Sequence, residues 1–235
     1  LSGWWNVLQS ADIDNDGDMD LIAGNFGLNS QFEASDNKKL RLYGADFDQN
    51  GSIDPILECF VGDKMYPYPS RDELLDQMAS MRSRFTDYAS YSKAQMTNLF
   101  TEQELENAQV LEANTLESIL LENTGNGFQV RSLPRLAQSF PVYSILPIDL
   151  NKDGNLDLIL GGNQSHTRIR IGLMDAGLGL VLIGDGKGDF SPLSPSESGL
   201  AIKGDIKSIL PVYTKSGIQL LFGINQKPLE SYTVR

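Results

Sequence analysis

Trp5-Asn6-Val7-Leu8-Gln9-Ser10-Ala11 runs into Asp12-Ile13-Asp14-Asn15-Asp16-Gly17-Asp18-Met19-Asp20 and out through Leu21-Ile22-Ala23-Gly24-Asn25. A short apolar run enters an acidic, glycine-containing loop, and a second apolar run leaves it. Runs of this length bounded by Gly, Asp and Asn are strand signals, so the stretch predicts a strand, a loop and a returning strand.

The frame recurs, which marks it as a repeat. Leu42-Tyr43-Gly44-Ala45 precedes the loop from Asp46 to Asp54, and Pro55-Ile56-Leu57 follows it. Ser144-Ile145-Leu146-Pro147-Ile148 leads into Asp149 to Asp157 and out through Leu158-Ile159-Leu160-Gly161-Gly162-Asn163. A fourth copy, Ser208 to Asn225, keeps the apolar runs but carries Tyr213-Thr214-Lys215-Ser216-Gly217 where the acids would be. A second hairpin type appears at Ser118 to Phe128 and Leu180 to Phe190, whose Gly and Asn residues suit tight turns.

Pairing an acidic-loop hairpin with a following Gly-rich hairpin gives four antiparallel strands, the blade of a propeller. The expected fold class is all-β: a partial or small β-propeller of about four antiparallel blades filling residues 1–235. The interval from Asp12 to Asp149 is about twice that from Asp149 to Tyr213, which fits two units. Part of that interval, residues 70–112, changes to a helical pattern. Ser70 with Glu73 and Thr101 with Glu104 form capping boxes, and Leu74, Met78, Met81 and Phe85 follow at helical spacing. A helical insertion on one blade is expected, with Tyr66, Tyr68, Phe85, Tyr88, Tyr91 and Phe100 available for a partner or for packing.

The loops carry the chemistry. Asp12, Asp14, Asp16, Asp18 and Asp20 align with Asp46, Asp48, Asn50, Ser52 and Asp54, and with Asp149, Asn151, Asp153, Asn155 and Asp157, at positions 1, 3, 5, 7 and 9. Short oxygen side chains at alternate positions of a tight loop converge on one point, which suits Ca²⁺ with its six to eight oxygens at about 2.3–2.6 Å. Gly at position 6 allows the sharp turn, and position 7 needs to offer only its backbone carbonyl. An EF-hand would place a bidentate Glu at position 12 between helices, whereas that position is Ala23, Leu57 or Leu160 in a strand. Asp-Gly turns also cap hairpins without metal. Three loops in one register favour the cation, because adjacent carboxylates repel unless a positive charge offsets them.

These loops resemble the Asp-x-Asp-x-Asp-Gly-x-x-Asp loops of FG-GAP and VCBS-type repeats, found in integrin α-subunit propellers and bacterial surface proteins. The hairpins ending Gly125-Asn126-Gly127-Phe128 and Gly186-Lys187-Gly188-Asp189-Phe190 are similar to the same repeats. The resemblance implies up to three calcium sites, an extracellular or bacterial cell-surface location, and a non-enzymatic module binding a protein or glycan ligand. Family propellers hold about seven blades, so further blades are expected outside this chain. Asn50 and Asn151 replace carboxylates, which predicts weaker sites there and the tightest at Asp12.

The acidic balance, 19 basic against 31 acidic residues and a net −12, repels phosphate backbones and speaks against nucleic acid. Hydrophobic residues make up 40% and charged residues 21%, as in folded globular domains, and no apolar stretch is long enough to span a bilayer. The chain starts Leu1-Ser2-Gly3-Trp4-Trp5 without an initiator Met or signal peptide and reads as a piece of a longer protein. Cys59 sits in an apolar run and reads as a buried hydrophobe. His166, the sole histidine, lies among polar residues, and neither a phosphate-binding Gly-Lys-Ser motif nor zinc-type Cys/His spacing occurs, so no catalytic residue is assigned. Glu73 and Asp76 read as a solvated helix face beside Arg71 and Arg82. The alternative function is a carbohydrate-active domain working through its carboxylates.

Overall fold

A computed structural model describes residues 1–215 and 217–234. Ser216, in the fourth expected loop, lies outside the described residues. The strands in chain order are β1 (Val7–Ala11), β2 (Asp20–Gly24), β3 (Leu40–Ala45), β4 (Asp54–Val61), β5 (Lys64–Pro67), β6 (Gln109–Ala113), β7 (Ile119–Asn123) and β8 (Phe128–Ser132). They continue as β9 (Val142–Ile148), β10 (Asp157–Gly162), β11 (Leu180–Gly184), β12 (Phe190–Pro192), β13 (Ile206–Thr214), β14 (Gly217–Ile224) and β15 (Glu230–Thr233). The helices are short: α1 (Arg71–Gln77), α2 (Tyr88–Tyr91), α3 (Met96–Leu99), α4 (Glu102–Asn107) and α5 (Pro195–Ser198). No helix of the described residues is long and apolar enough to cross a membrane.

The described residues are mostly β, with four antiparallel sheets in the orders β1-β2-β7-β8, β12-β11-β10-β9, β13-β14-β15 and β5-β4-β3-β6. Each acidic loop joins two paired strands: Ala11 faces Asp20, Ala45 faces Asp54, and Ile148 faces Asp157. The fourth hairpin also forms, but its strands run into the expected loop: Tyr213 and Thr214 belong to β13, Gly217 opens β14, and Thr214 lies opposite Gly217.

Two compact units divide the chain. One comprises Trp4–Gln31 and Leu116–Arg235, and the other Leu1–Gly3 and Phe32–Thr115. The first unit holds three sheets, with β9 lying against both β1 and β13. Their facing apolar rows make two cores. Ile22, Leu120, Val142, Leu158 and Leu182 meet in one, and Ile159, Ile202, Ile206 and Phe222 in the other. As the pattern predicts, an acidic-loop hairpin pairs with a Gly-rich one in β1-β2-β7-β8 and in β9 to β12.

The second acidic loop departs from that rule. Its hairpin, β3-β4, is flanked by β5 and β6 in a sheet belonging to the other unit, so it is no member of the β1, β9, β13 series. The inserted segment is therefore the whole of Phe32–Thr115, wider than the helical stretch alone. The doubled interval from Asp12 to Asp149 reflects this insertion, because β1 and β9 belong to neighbouring sheets. Within it the helices end at Asn107, and Gln109–Ala113 pairs with β3 instead.

In the inserted unit the helices fold over β3 and β4 through Phe47, Ile56, Leu74, Met78, Met81, Phe85, Tyr91, Leu99 and Phe100. Ser70 and Thr101 accept from the backbones of Glu73 and Glu104 while those carboxylates return the bond, as the capping pattern predicts. Phe47 stacks on Phe100 with ring centroids 3.8 Å apart, and Tyr91 donates to the Pro69 carbonyl at 2.7 Å. Tyr68, Phe85, Tyr91 and Phe100 are spent on packing, and Tyr88 alone of the six aromatics is largely exposed, at 65%. Cys59 is buried.

Gly162, in β10, tests how closely these sheets pack. A methyl group there would lie 1.9 Å from the Pro141 carbonyl oxygen and 2.6 Å from the Phe140 ring. Gly162→Ala is expected to lower stability by about 1–3 kcal/mol through overpacking, read from the midpoint of urea unfolding.

Candidate metal centre

The three acidic loops share one hydrogen-bond pattern. At position 9, Asp20, Asp54 and Asp157 are 1%, 3% and 0% exposed, so their charges must be matched inside the protein. Oδ2 of each accepts from the position-2 N–H: Ile13 at 2.9 Å, Phe47 at 3.1 Å and Leu150 at 2.9 Å. Their Oδ1 atoms accept from beyond the loop, Asp20 from the Asn123 N–H at 2.7 Å and Asp157 from the Gly184 N–H at 3.0 Å. Asp54 Oδ1 instead takes the Gln77 side chain of α1 at 3.2 Å.

Position 1 closes the loop from the other side. Asp12, Asp46 and Asp149 accept from the N–H of Gly17, Gly51 and Gly154 at 3.1, 2.8 and 3.1 Å. Those glycines have φ of 95°, 90° and 90°, in the left-handed region that a side chain would strain. Asn15, Gln49 and Lys152 at position 4 are also left-handed, with φ of 63°, 59° and 63°. The side chains at positions 3 and 5 accept from the N–H two residues on: Asp14, Asp48 and Asn151 in one row, Asp16, Asn50 and Asp153 in the next. One loop conformation has thus been built three times from three different sequences.

The oxygens converge as the spacing predicts in the first two loops. Asp12, Asp14 and Asp20 each bring a carboxylate oxygen within 4.8 Å of the others, and so do Asp46, Asp48 and Asp54; either group can hold a metal ion. The third loop has as many carboxylates as the second, but among the described residues they form no such group: Asn151 stands at position 3 and turns its amide onto Asp153 Oδ2 at 2.9 Å. Position 7 differs among the loops. Asn155 Oδ1 accepts from Asn15 at 3.0 Å, Ser52 is exposed, and Asp18 keeps a sequestered oxygen.

That oxygen, Asp18 Oδ1, and Asp12 Oδ1 are shut off from solvent and lack a hydrogen-bond partner among the described residues. Sequestered carboxylate oxygens without a donor are costly. They fit a hard cation, which takes carboxylate oxygens and needs no proton between. The local field points the same way. Desolvation first, then the like charges of Asp16 and Asp20, lift the Asp14 carboxyl above its ordinary range. Desolvation followed by Asp16, Asp20, Asp14 and Asp12 does the same to Asp18. In the third loop the sign reverses, because the Asn155 N–H and the Asn151 amide hold Asp153 below the usual range. The first loop carries unrelieved repulsion; the third satisfies itself.

Sequence reading missed a second cluster. Ser165 Oγ donates to the buried Asp205 at 2.8 Å, and His166 Nδ1 lies 3.1 Å from that hydroxyl and 3.8 Å from the same carboxylate. A nucleophile relay sets Ser and carboxylate on opposite ring nitrogens, whereas here both address Nδ1. Asp205 also accepts from the Ser165 N–H at 3.0 Å, which anchors the base of the loop from Gln164 to Met174. Asp205 is distant in sequence from Ser165, so no local pattern signals the contact.

Asp157→Ala, studied with chelator present, leaves the Leu150 and Gly184 N–H groups without their acceptor and is expected to cost about 2–4 kcal/mol in urea unfolding. Asp153→Ala, at an exposed position of the same loop, is expected to cost less than about 1 kcal/mol. A scan against protein-family models finds none that matches this chain, and a search of curated proteins finds no match either.

Proposed function

We propose that the chain is a calcium-binding β-propeller module of the FG-GAP/VCBS type from a secreted or cell-surface protein, acting in protein or carbohydrate binding and scaffolding and not in catalysis. The observation that carries this reading is the threefold recurrence of one loop geometry, with sequestered, donorless oxygens on Asp12 and Asp18 in the most acidic copy. Asp12, Asp14, Asp16, Asp18 and Asp20 would hold the ion in the first loop, and Asp46, Asp48, Asn50, Ser52 and Asp54 in the second. In the third, Asp149, Asp153 and Asp157 remain as carboxylates.

The ion would offset like charges at the corner between two paired strands and fix the hairpin ends that a propeller presents on one face. Successive sheets β1-β2-β7-β8, β9 to β12 and β13 to β15, each laid against the next, support the propeller reading within their unit. A metal held by the native state alone stabilises it by about 2.7 kcal/mol at a hundredfold excess over Kd. The net charge of −12 would be halved by three such ions, leaving a surface less hostile to acidic ligands.

Calcium at saturating concentration is expected to raise the melting temperature by about 5–10 °C over the chelated protein. Asp14→Asn with Asp16→Asn should remove the first loop's share of that gain while changing the chelated melt little. Identical melts with calcium and with chelator would end the proposal.

A further inference from the structure

Asn15 has no place in the ligand pattern, yet its position is fixed. With φ of 63° at position 4 of the first loop, it donates Nδ2 to Asn155 Oδ1, at position 7 of the third, across 3.0 Å. The two loops belong to neighbouring sheets of one unit, and this bond joins them directly. The turn between β11 and β12 closes over it. Gly186 has φ of 68°, and a Cβ there would lie 2.2 Å from Asn155 Oδ1 and 3.1 Å from Asn15 Nδ2, so a residue without a side chain is required.

A second tie runs beside the first. Arg131 of β8 donates to the Lys187 carbonyl at 2.7 Å and to Asp189 at 2.5 Å in the same turn, while bonding Glu122 of its own sheet at 2.8 Å. The turn is thus held against the first sheet by a charged clamp and against the third loop by Gly186.

We propose that cation uptake by the first and third loops is positively coupled through the Asn15 to Asn155 hydrogen bond; this rests on the calcium reading above. The physical basis is the contrast between the loops. Five carboxylates crowd the first, and their mutual repulsion works against its ordered conformation until a cation offsets them. Once it is ordered, Asn15 is fixed, the Asn155 side chain is held, and the Asn155 carbonyl, the expected position-7 ligand, is set in place. The third loop then binds without having to order that residue itself. By linkage, filling the third loop raises the affinity of the first by the same factor. Asn15 and Asn155 act here as positioning residues, through the backbone of the loops they hold.

The test is a calorimetric calcium titration of the full chain, with the second loop silenced by Asp46→Asn and Asp48→Asn. Silencing the first loop with Asp14→Asn and Asp16→Asn is expected to weaken the third about fivefold, the low end for coupling between sites. Asn15→Gly, which suits the left-handed position, should give the same weakening with the first loop intact, and adding it to the silenced loop should bring no further loss. A third-loop Kd unmoved by either change overturns the coupling and leaves the calcium reading standing. Failure of the parent chain to fill its third loop also overturns the coupling, and failure to fill either loop overturns the calcium reading with it.

Discussion

A buried carboxylate at the far end of each acidic loop is the interaction on which the rest depends. Asp20, Asp54 and Asp157 begin the strand that leaves the loop, and each binds the N–H at the loop's second residue, so the loop cannot open without stranding a charge inside the protein. In the first unit the other oxygen of that carboxylate takes a backbone N–H from the third strand of its sheet. One side chain therefore sets the turn, the register of the hairpin and its attachment to the next hairpin. In the inserted unit the corresponding oxygen is bound by Gln77 of α1, so there the same device ties a sheet to its helices.

On that common frame the loops diverge electrically. The first has a carboxylate at every alternate position, and its oxygens exceed the N–H donors available to them. Asp12 and Asp18 are left with sequestered oxygens, and Asp14 and Asp18 resist ionisation. The third trades a carboxylate for Asn151 and spends its position-7 side chain on Asn15, and its Asp153 ionises more readily. Loop conformation and charge repulsion are thus separable: glycine, left-handed backbone and the position-9 carboxylate fix the first, while the number and placement of the carboxylates fix the second.

The inserted unit shows where repeat arithmetic misleads. Its β3-β4 hairpin carries the full acidic-loop signature, so the spacing counts it among the repeats. Its neighbours in the sheet are β5 and β6, however, and its core is closed by α1 to α4. The loop signature specifies a hairpin corner. It carries no information about which strands flank that hairpin, because those contacts depend on apolar faces many residues away.

Local structure was legible in the order of residues alone: the four strand-loop-strand hairpins, the Gly-rich hairpins, the capping boxes at Ser70 and Thr101, and the convergence of Asp12, Asp14 and Asp20 and of Asp46, Asp48 and Asp54. These follow from alternation, turn residues and spacing, which act within a few residues. It took the packed fold to reveal that Phe32–Thr115, with Leu1–Gly3, forms a separate unit, that Tyr68, Phe85, Tyr91 and Phe100 are buried, that Asn15 reaches Asn155, and that Ser165 leans on Asp205. Each is a contact between segments far apart in the chain, set by the packing of whole faces and by the matching of buried polar groups to whatever donor the fold brings near.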